Sequence, residues 1–298
     1  MSGARSRLVL VCLGTAAAWY LSVPAIATQS ADPSLADILS AAGRYVAGYE
    51  TDFGVVAADE RYVQTANSVS TPRAMKREMN CAVLIFNTGE SGWMAFRDVL
   101  SVDARQISND AGRLAALAAN PTNQALARAM KATEESRTYW LAAQARPIAV
   151  APSALVFLRS SQQSRSTFHL DGMKTVGKVR VALVTFQEKS VAQMIATGET
   201  STTGGRFWIE PGTGRVVQTE LTIAAGTYTA KTEVDYASEP GLDIWVPVRL
   251  SERYSGSLPA TTIAGSRTMS SPTSAYVDGL STYSNFRRFD LKPGLVIR

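Results

Sequence analysis

The sequence predicts an α+β protein in which an antiparallel β-sheet is covered on one face by helices. The first observation is a period-two alternation of apolar and charged residues between 215 and 254, typical of a sheet with one face in water. The second is an amphipathic pattern over residues 35–53, whose apolar stripe needs a surface to pack on. The third is a series of glycine and proline turns that joins neighbouring strands after residue 165.

The N-terminal 27 residues have the pattern of a secretory signal peptide. Arg5 and Arg7 precede the apolar or small residues 8–23, and residues 25–27 form an A-x-A cleavage site. We therefore expect a mature chain that starts at Thr28 and folds as a single α+β domain, residues 28–298. An uncleaved membrane anchor is the alternative, because the apolar run is close to the shortest length that spans a bilayer.

The first half of the mature chain alternates helix and strand patterns. Ser34 and Asp37 favour a helix start, and apolar residues recur every three or four positions up to Phe53. Strands are predicted at residues 55–66, 80–88 and 93–102. Residues 81–86 are apolar on both faces, which indicates a central, covered strand.

A helical insert is predicted at about residues 110–158. Asp110 is a candidate cap for a short helix that Pro121 ends, and a second helix carries Leu126 and Trp140 on one side. Residues 154–158 fit either a helix or a strand.

The second half is predicted to be a meander of strands. They are expected at residues 166–170, 178–188, 206–210, 215–224, 227–236, 243–254 and 280–291. Pro247 favours an edge position for its strand, or an outward-facing ring nitrogen. Residues 255–279 form a long loop rich in serine and threonine.

Composition excludes several classes of site. One histidine and two cysteines among 298 residues cannot build Cys/His zinc sites or iron–sulfur clusters, so we expect no metal and no cofactor. Without the signal peptide, Cys81 has no cysteine partner in the chain. The formal net charge of +5 falls to +3 without Arg5 and Arg7, so no nucleic-acid partner is expected.

No catalytic motif stands out. His169 is the one candidate histidine base, and no G-x-S-x-G motif marks a nucleophilic serine. The adjacent acids Asp59 and Glu60 point to opposite faces of a strand, and Glu220 lies far away in sequence. A hydrolase whose acids come from distant positions is the enzyme alternative, and a non-enzymatic function is favoured.

Aromatic residues occur at the apolar positions of the predicted helices and strands. Core packing explains each of them, and an apolar cavity between sheet and helices is the collective alternative. The candidate ligand-binding residues are Tyr45, Tyr49, Phe53, Phe86, Phe207, Tyr228 and Tyr236.

Three phrases carry a resemblance to a known family. They are FWIEPGTGRVVQTEL at 207–221, WVPV at 245–248 and YSNFR at 283–287. The set resembles the outer-membrane lipoprotein-sorting superfamily of LolA/LolB-like and RseB-like envelope proteins, mainly over residues 204–290. Exported acidobacterial proteins also carry similar phrases, RFWIDP-x-TGRV and YSNFRRF. The resemblance implies a curved half-barrel with an apolar cavity for acyl chains, and no catalytic residues.

The favoured function is therefore that of an exported, non-enzymatic protein of the periplasm or the outer side of the cell envelope. Its apolar cleft between sheet and helices would bind a lipid, an acyl chain or an acylated protein. A carboxylate-dependent hydrolase is one alternative. The other is a structural or signalling envelope module that binds a protein partner and no small ligand.

Overall fold

An eleven-stranded antiparallel sheet forms the body of the molecule. The structure is a computed structural model that describes residues 32–68, 71–89, 92–107, 112–120, 122–141, 146, 148–189, 201–256 and 276–289. The strands are β1 (Val55–Ser68), β2 (Thr71–Asn87), β3 (Trp93–Val102), β4 (Arg105–Gln106), β5 (Ser166–Val176), β6 (Val179–Glu188), β7 (Thr202–Ile209), β8 (Val216–Ala225), β9 (Tyr228–Glu239), β10 (Ile244–Ser255) and β11 (Tyr276–Phe289). Their spatial order is β4-β3-β2-β1-β11-β10-β9-β8-β7-β6-β5.

The sheet is strongly curved. Five strand spacings separate β3 from β9, which would be about 24 Å in a flat sheet. Trp93 of β3 and Tyr236 of β9 nevertheless both contact the ring of Tyr49, with centroid distances of 5.7 and 6.5 Å. The two side chains therefore lie within about 12 Å of each other, and the sheet is an open half-barrel as the sequence resemblance implied.

Helix α1 (Leu35–Phe53) covers the concave side of the sheet, here called the inner face. Its first turn is capped by Ser34, whose hydroxyl accepts a hydrogen bond from the Asp37 backbone N–H. A 3₁₀ helix, Ala151–Leu158, lies beside α1 and packs on the same face. The predicted helical cover is confirmed, and the segment that fitted either a helix or a strand is a 3₁₀ helix with a proline in its first turn.

Two further helices pack on the opposite, outer face. Helices α2 (Arg113–Ala119) and α3 (Asn123–Arg137) lie over β1, β2 and β3 and enclose a second apolar cluster. Strand β2 is therefore covered on both sides, as its two-faced apolar run predicted: Cys81, Val83 and Ile85 face inward, while Leu84 and Phe86 face outward.

Helix α3 ends earlier than its sequence pattern suggested. After Arg137 the chain continues in tighter i→i+3 turns. Contrary to the prediction, Trp140 therefore does not lie on the same side of α3 as Leu126, but packs against the inner-face cluster. Ala129 of the same helix belongs to the outer-face cluster. The chain therefore passes from the outer to the inner side of the molecule between these two residues.

The alternation predicted for β9 is confirmed, with Tyr228, Ala230, Thr232, Val234 and Tyr236 all buried. The edge position suggested for the strand of Pro247 is wrong, because β10 lies between β9 and β11. A register shift between Pro247 and Arg249 accommodates the proline and leaves Val248 only partly buried.

Some predictions fall outside the described residues. The signal peptide, Asp110, Pro121 and residues 257–275 of the long loop are among them. Within the part of the chain that is described, no helix has both the length and the apolar character required to cross a membrane.

Candidate functional site

An aromatic cluster joins α1 to the inner face of the sheet. Tyr45, Tyr49 and Phe53 follow one another at four-residue spacing, which stacks them along one side of the helix. Their ring centroids lie 5.8 and 5.3 Å apart. Trp93 meets Phe53 edge-on at 5.1 Å, and Tyr236 meets Tyr49 edge-on at 6.5 Å. These five residues are called the aromatic cluster below.

Two polar atoms in this cluster lack a hydrogen-bond partner. The Tyr49 hydroxyl and the Trp93 Nε1 are both buried and make no hydrogen bond within the described part of the protein. The Tyr236 hydroxyl, by contrast, donates to the Ala151 carbonyl at 3.3 Å. Burial raises the pKa of Tyr49 well above its usual value, so this hydroxyl is a neutral donor. The cluster thus presents two unused donors between helix and sheet.

The other predicted ligand-binding residues lie at different places. Phe207 stacks on Phe186 at 4.8 Å and is fully buried on the inner face, and Tyr228 is fully buried in the same apolar cluster. Phe86 contacts Phe96 at 5.3 Å on the outer face, under α2 and α3. Because strand side chains alternate between faces, Phe86 cannot share a cleft with the other six, and we exclude it from the site.

A buried polar cluster on the inner face was not predicted from the sequence. The side chains of Arg146 and Glu252 are only 1% and 2% exposed, and Arg146 Nη1 lies 3.4 Å from Glu252 Oε1. Tyr254 donates to Glu252 Oε2 at 2.9 Å, and Tyr62 donates to Oε1. Burial and the nearby Glu252 carboxylate raise the pKa of both tyrosines.

One signal in the sequence could have revealed Glu252. It shares the parity of Leu250 and Tyr254, which places it on the covered side of β10. Nothing local marks Arg146, which is 106 positions away in the chain.

A second buried ion pair lies next to this cluster. Arg97 Nε and Nη2 donate to the two carboxylate oxygens of Glu60 at 2.5 and 2.8 Å, and the Ser281 hydroxyl donates to Oε1 at 2.6 Å. The Arg97 guanidinium also lies 5.1 Å from the ring centre of Tyr62. Glu60 is therefore a fully bonded, ion-paired carboxylate.

The acids considered for a hydrolase do not come together. Asp59 points outward and accepts a hydrogen bond from Asn285 at 2.8 Å, whereas Glu60 points inward. Glu220 pairs with Arg206 and with Lys231. Burial alone would raise the pKa of Glu220, but its hydrogen bonds from Arg206 and Lys231 lower the pKa overall. These three carboxylates thus lie in separate ion pairs.

The single histidine lies at the surface. The His169 side chain is 80% exposed and its Nε2 is 3.6 Å from Asp171. Among the described residues, no group of three or more His, Cys, Asp or Glu side chains is arranged to hold a metal ion.

Comparisons with known proteins find matches among solved structures only. No protein-family model and no curated protein matches the chain. A DUF1329 family protein from Desulfovibrio piger aligns over 86% of this chain and 93% of its own, with 10% identity and a TM-score of 0.34. A putative outer membrane lipoprotein-sorting protein domain from Vibrio parahaemolyticus aligns over the same shares, with 11% identity and a TM-score of 0.34.

A third structure, a LolA superfamily protein from Nitrosomonas europaea, aligns over 87% of this chain and 96% of its own, with 8% identity and a TM-score of 0.31. The last two of these structures are named for lipoprotein sorting or for the LolA superfamily, the group that the sequence phrases resemble. The likeness to exported acidobacterial proteins stays a prediction.

Proposed function

We propose that this is an exported, non-enzymatic envelope protein that binds the apolar chain of a lipid or an acylated protein between α1 and the inner face of the sheet. The observation that carries the proposal is the aromatic cluster with its unused donors. An apolar interface that also holds two buried, unbonded donors is suited to a chain that is mostly hydrocarbon and carries a few oxygen atoms.

The shape of the sheet supports the same function. Its curvature brings β3 and β9 to the two sides of Tyr49, so that one helix closes a trough lined by apolar side chains from nine strands. A helix held mainly by side-chain contacts can move outward without breaking a strand ladder. The trough can therefore admit a ligand while the sheet stays intact.

The direct test is binding of a fluorescent fatty acid, 11-(dansylamino)undecanoic acid, to the purified mature protein, together with native mass spectrometry for co-purified lipid. We expect probe binding by the wild type and a large loss for Tyr49→Ala. Phe86→Ala is the matched control, because it removes a buried aromatic ring from the outer face. Both variants should lower the melting temperature, but Phe86→Ala should still bind the probe.

The same measurement distinguishes an alternative function. Ring contacts of 5.1–6.5 Å within the aromatic cluster also fit a packed core, and an envelope module that binds only a protein partner would have one. A packed core predicts a loss of about 3–5 kcal/mol for Tyr49→Ala, and a helix that covers a trough predicts less. A wild type that binds no probe and carries no lipid would contradict lipid binding.

Export is the part of the proposal that concerns the N-terminus. The A-x-A motif at residues 25–27 predicts cleavage before Thr28. Edman sequencing of protein recovered from the extracytoplasmic fraction should start at Thr28. Membrane-bound protein that still begins at Met1 would show that the segment is retained as an anchor.

A further inference from the structure

Three buried hydrogen-bond donors on the inner face have no acceptor among the described residues. They are Gln64 Nε2, Trp140 Nε1 and Arg146 Nε, and none of them makes a hydrogen bond within the described part of the protein. The Gln64 residue is fully buried and the Arg146 side chain is 1% exposed. Buried donors in folded proteins are almost always bonded, so three together indicate an absent acceptor.

The three side chains are neighbours. Gln64 Oε1 accepts hydrogen bonds from the Leu141 backbone N–H at 2.7 Å and from Arg146 Nη2 at 3.2 Å. These two bonds fix the orientation of the amide and leave its NH₂ group as the free end. The Arg146 guanidinium carbon lies 4.4 Å from the centre of the Trp140 ring. Gln64 and Trp140 therefore both contact Arg146, which keeps the three donors close together.

The charge at this place is already balanced. Arg146 Nη1 faces the Glu252 carboxylate and the hydroxyl of Tyr62, and Nη2 also donates to the Leu141 carbonyl at 3.3 Å. A second anion would be repelled by Glu252, whereas an uncharged acceptor would gain hydrogen bonds without this repulsion. An ester or amide carbonyl oxygen has the required chemistry.

In the neighbouring Arg97–Glu60 ion pair, by contrast, the arginine has no buried nitrogen without a hydrogen bond. The donors Nε and Nη2 of Arg97 both reach Glu60. The two buried arginines lie on either side of Tyr62, with ring distances of 5.1 and 5.8 Å. Of these two arginines, only Arg146 keeps a free Nε. Buried, unbonded guanidinium nitrogens also occur at Arg77, Arg159 and Arg215, but those side chains are 30%, 11% and 28% exposed, against 1% for Arg146.

We propose that Gln64, Trp140 and Arg146 form a recognition site for the carbonyl oxygen of an ester- or amide-linked acyl group. The inference rests on the proposed function, because it names the polar part of the ligand whose hydrocarbon part lies against the inner face. Tyr62 and Tyr254, which flank the site, belong to the same apolar cluster as Tyr49 and Tyr236.

The test compares two lipids that differ only in the carbonyl group. 1-Palmitoylglycerol carries an ester, and 1-O-hexadecylglycerol has an ether in its place with the same chain and headgroup. Their affinities for the mature wild-type protein are measured by competition with the dansyl fatty acid. We expect the ester to bind at least about tenfold more tightly, as one to two well-formed hydrogen bonds would give. Palmitate should bind less tightly than the ester at pH 8 because of Glu252.

Two variants test whether the preference for the ester depends on Gln64 and Trp140. Gln64→Glu keeps the acceptor oxygen but replaces the free donor with a second acceptor, and Trp140→Phe removes the Nε1 donor. Each should bring the ester-to-ether ratio close to one, and this ratio is the readout because any general effect of the variant on lipid affinity cancels in it. Asn80→Asp, the same amide-to-carboxylate change at an exposed position, should keep the wild-type ratio. If Gln64→Glu does not fold, Trp140→Phe and the wild-type comparison still decide the question.

The outcomes separate this inference from the function it rests on. Equal binding of ester and ether by the wild type would overturn the carbonyl site and leave lipid binding standing. Tighter binding of palmitate than of the ester would overturn the assignment of an uncharged acceptor. Binding of none of the lipids would overturn both proposals.

Discussion

At the scale of single residues, the buried tyrosines show that burial alone does not define a role. Tyr49 and Tyr62 are both almost completely buried in the same apolar cluster. The Tyr62 hydroxyl contacts Glu252 and Arg146, while the Tyr49 hydroxyl has no partner among the described residues. An unbonded buried hydroxyl destabilises a fold, whereas a bonded one contributes to it, so the two positions should respond oppositely to removal of the oxygen.

We expect Tyr49→Phe to leave the stability of the unliganded protein unchanged or raised by up to about 1 kcal/mol, because the desolvated hydroxyl disappears. Tyr62→Phe should lower the stability by about 1–3 kcal/mol, because the Glu252–Arg146 pair loses a hydrogen bond. Urea unfolding of both variants measures the difference. A loss for Tyr49→Phe as large as for Tyr62→Phe would mean that Tyr49 has a hydrogen-bond partner in solution.

At the scale of elements, the turn between β7 and β8 is shaped by its contact with α1. Gly214 has a φ of +73° and lies directly against the backbone of Ala41, so that a Cβ would overlap the Ala41 carbonyl. The turn is held by a backbone hydrogen bond from Gly214 to Glu210 at 2.8 Å and by an Arg215–Glu210 ion pair at 2.8 Å. The turn between β7 and β8, which lies within the sequence phrase at 207–221, therefore provides a surface on which α1 packs.

Gly214→Ala should be strongly destabilising, by about 3 kcal/mol or more, because it adds a steric clash with α1 to the backbone strain of a positive φ. Gly177→Ala is the matched control. Gly177 has a φ of +58° in a turn where a Cβ meets no atom within 4 Å, so only the strain of about 1–2 kcal/mol applies. Thermal melts of the two variants give the comparison, and equal losses would show that the turn does not press on α1.

At the scale of the whole molecule, the last strand holds the two halves of the sheet together. β11 pairs with β1 on one side and with β10 on the other. It is the link between the group β1–β4 and the meander β5–β10 in the order of the sheet. A strand with two partners in the middle of a sheet contributes two ladders of hydrogen bonds and covered apolar residues such as Val277.

We expect a chain truncated before Tyr276 to lose the cooperative fold, because the edges of β1 and β10 would both become unpaired. Circular dichroism during heating measures this, with the full mature chain as reference. A truncated chain with a sharp transition near that of the full chain would show that the two groups of strands fold independently.

Local sequence patterns located most of the helices and strands and assigned the buried sides of β8 and β9. Period-two alternation assigned Tyr228 and Val234 to the covered face because a strand turns each successive side chain by about half a turn. The cap at Ser34 and the apolar stripe fixed the start and the buried side of α1 in the same way. These features are encoded within a few neighbouring residues, and so they can be read locally.

The surfaces that the elements share follow from the three-dimensional fold and not from local sequence. The fold placed α2 and α3 on the outer face and Phe86 with them, although residues 81–86 are apolar at every position and so do not reveal which of them face inward. It also brought Arg146 to Glu252 and Tyr62, over separations of 106 and 84 positions. Local periodicity specifies the side of a strand but not its neighbours in space, because those follow from the curvature and closure of the complete sheet.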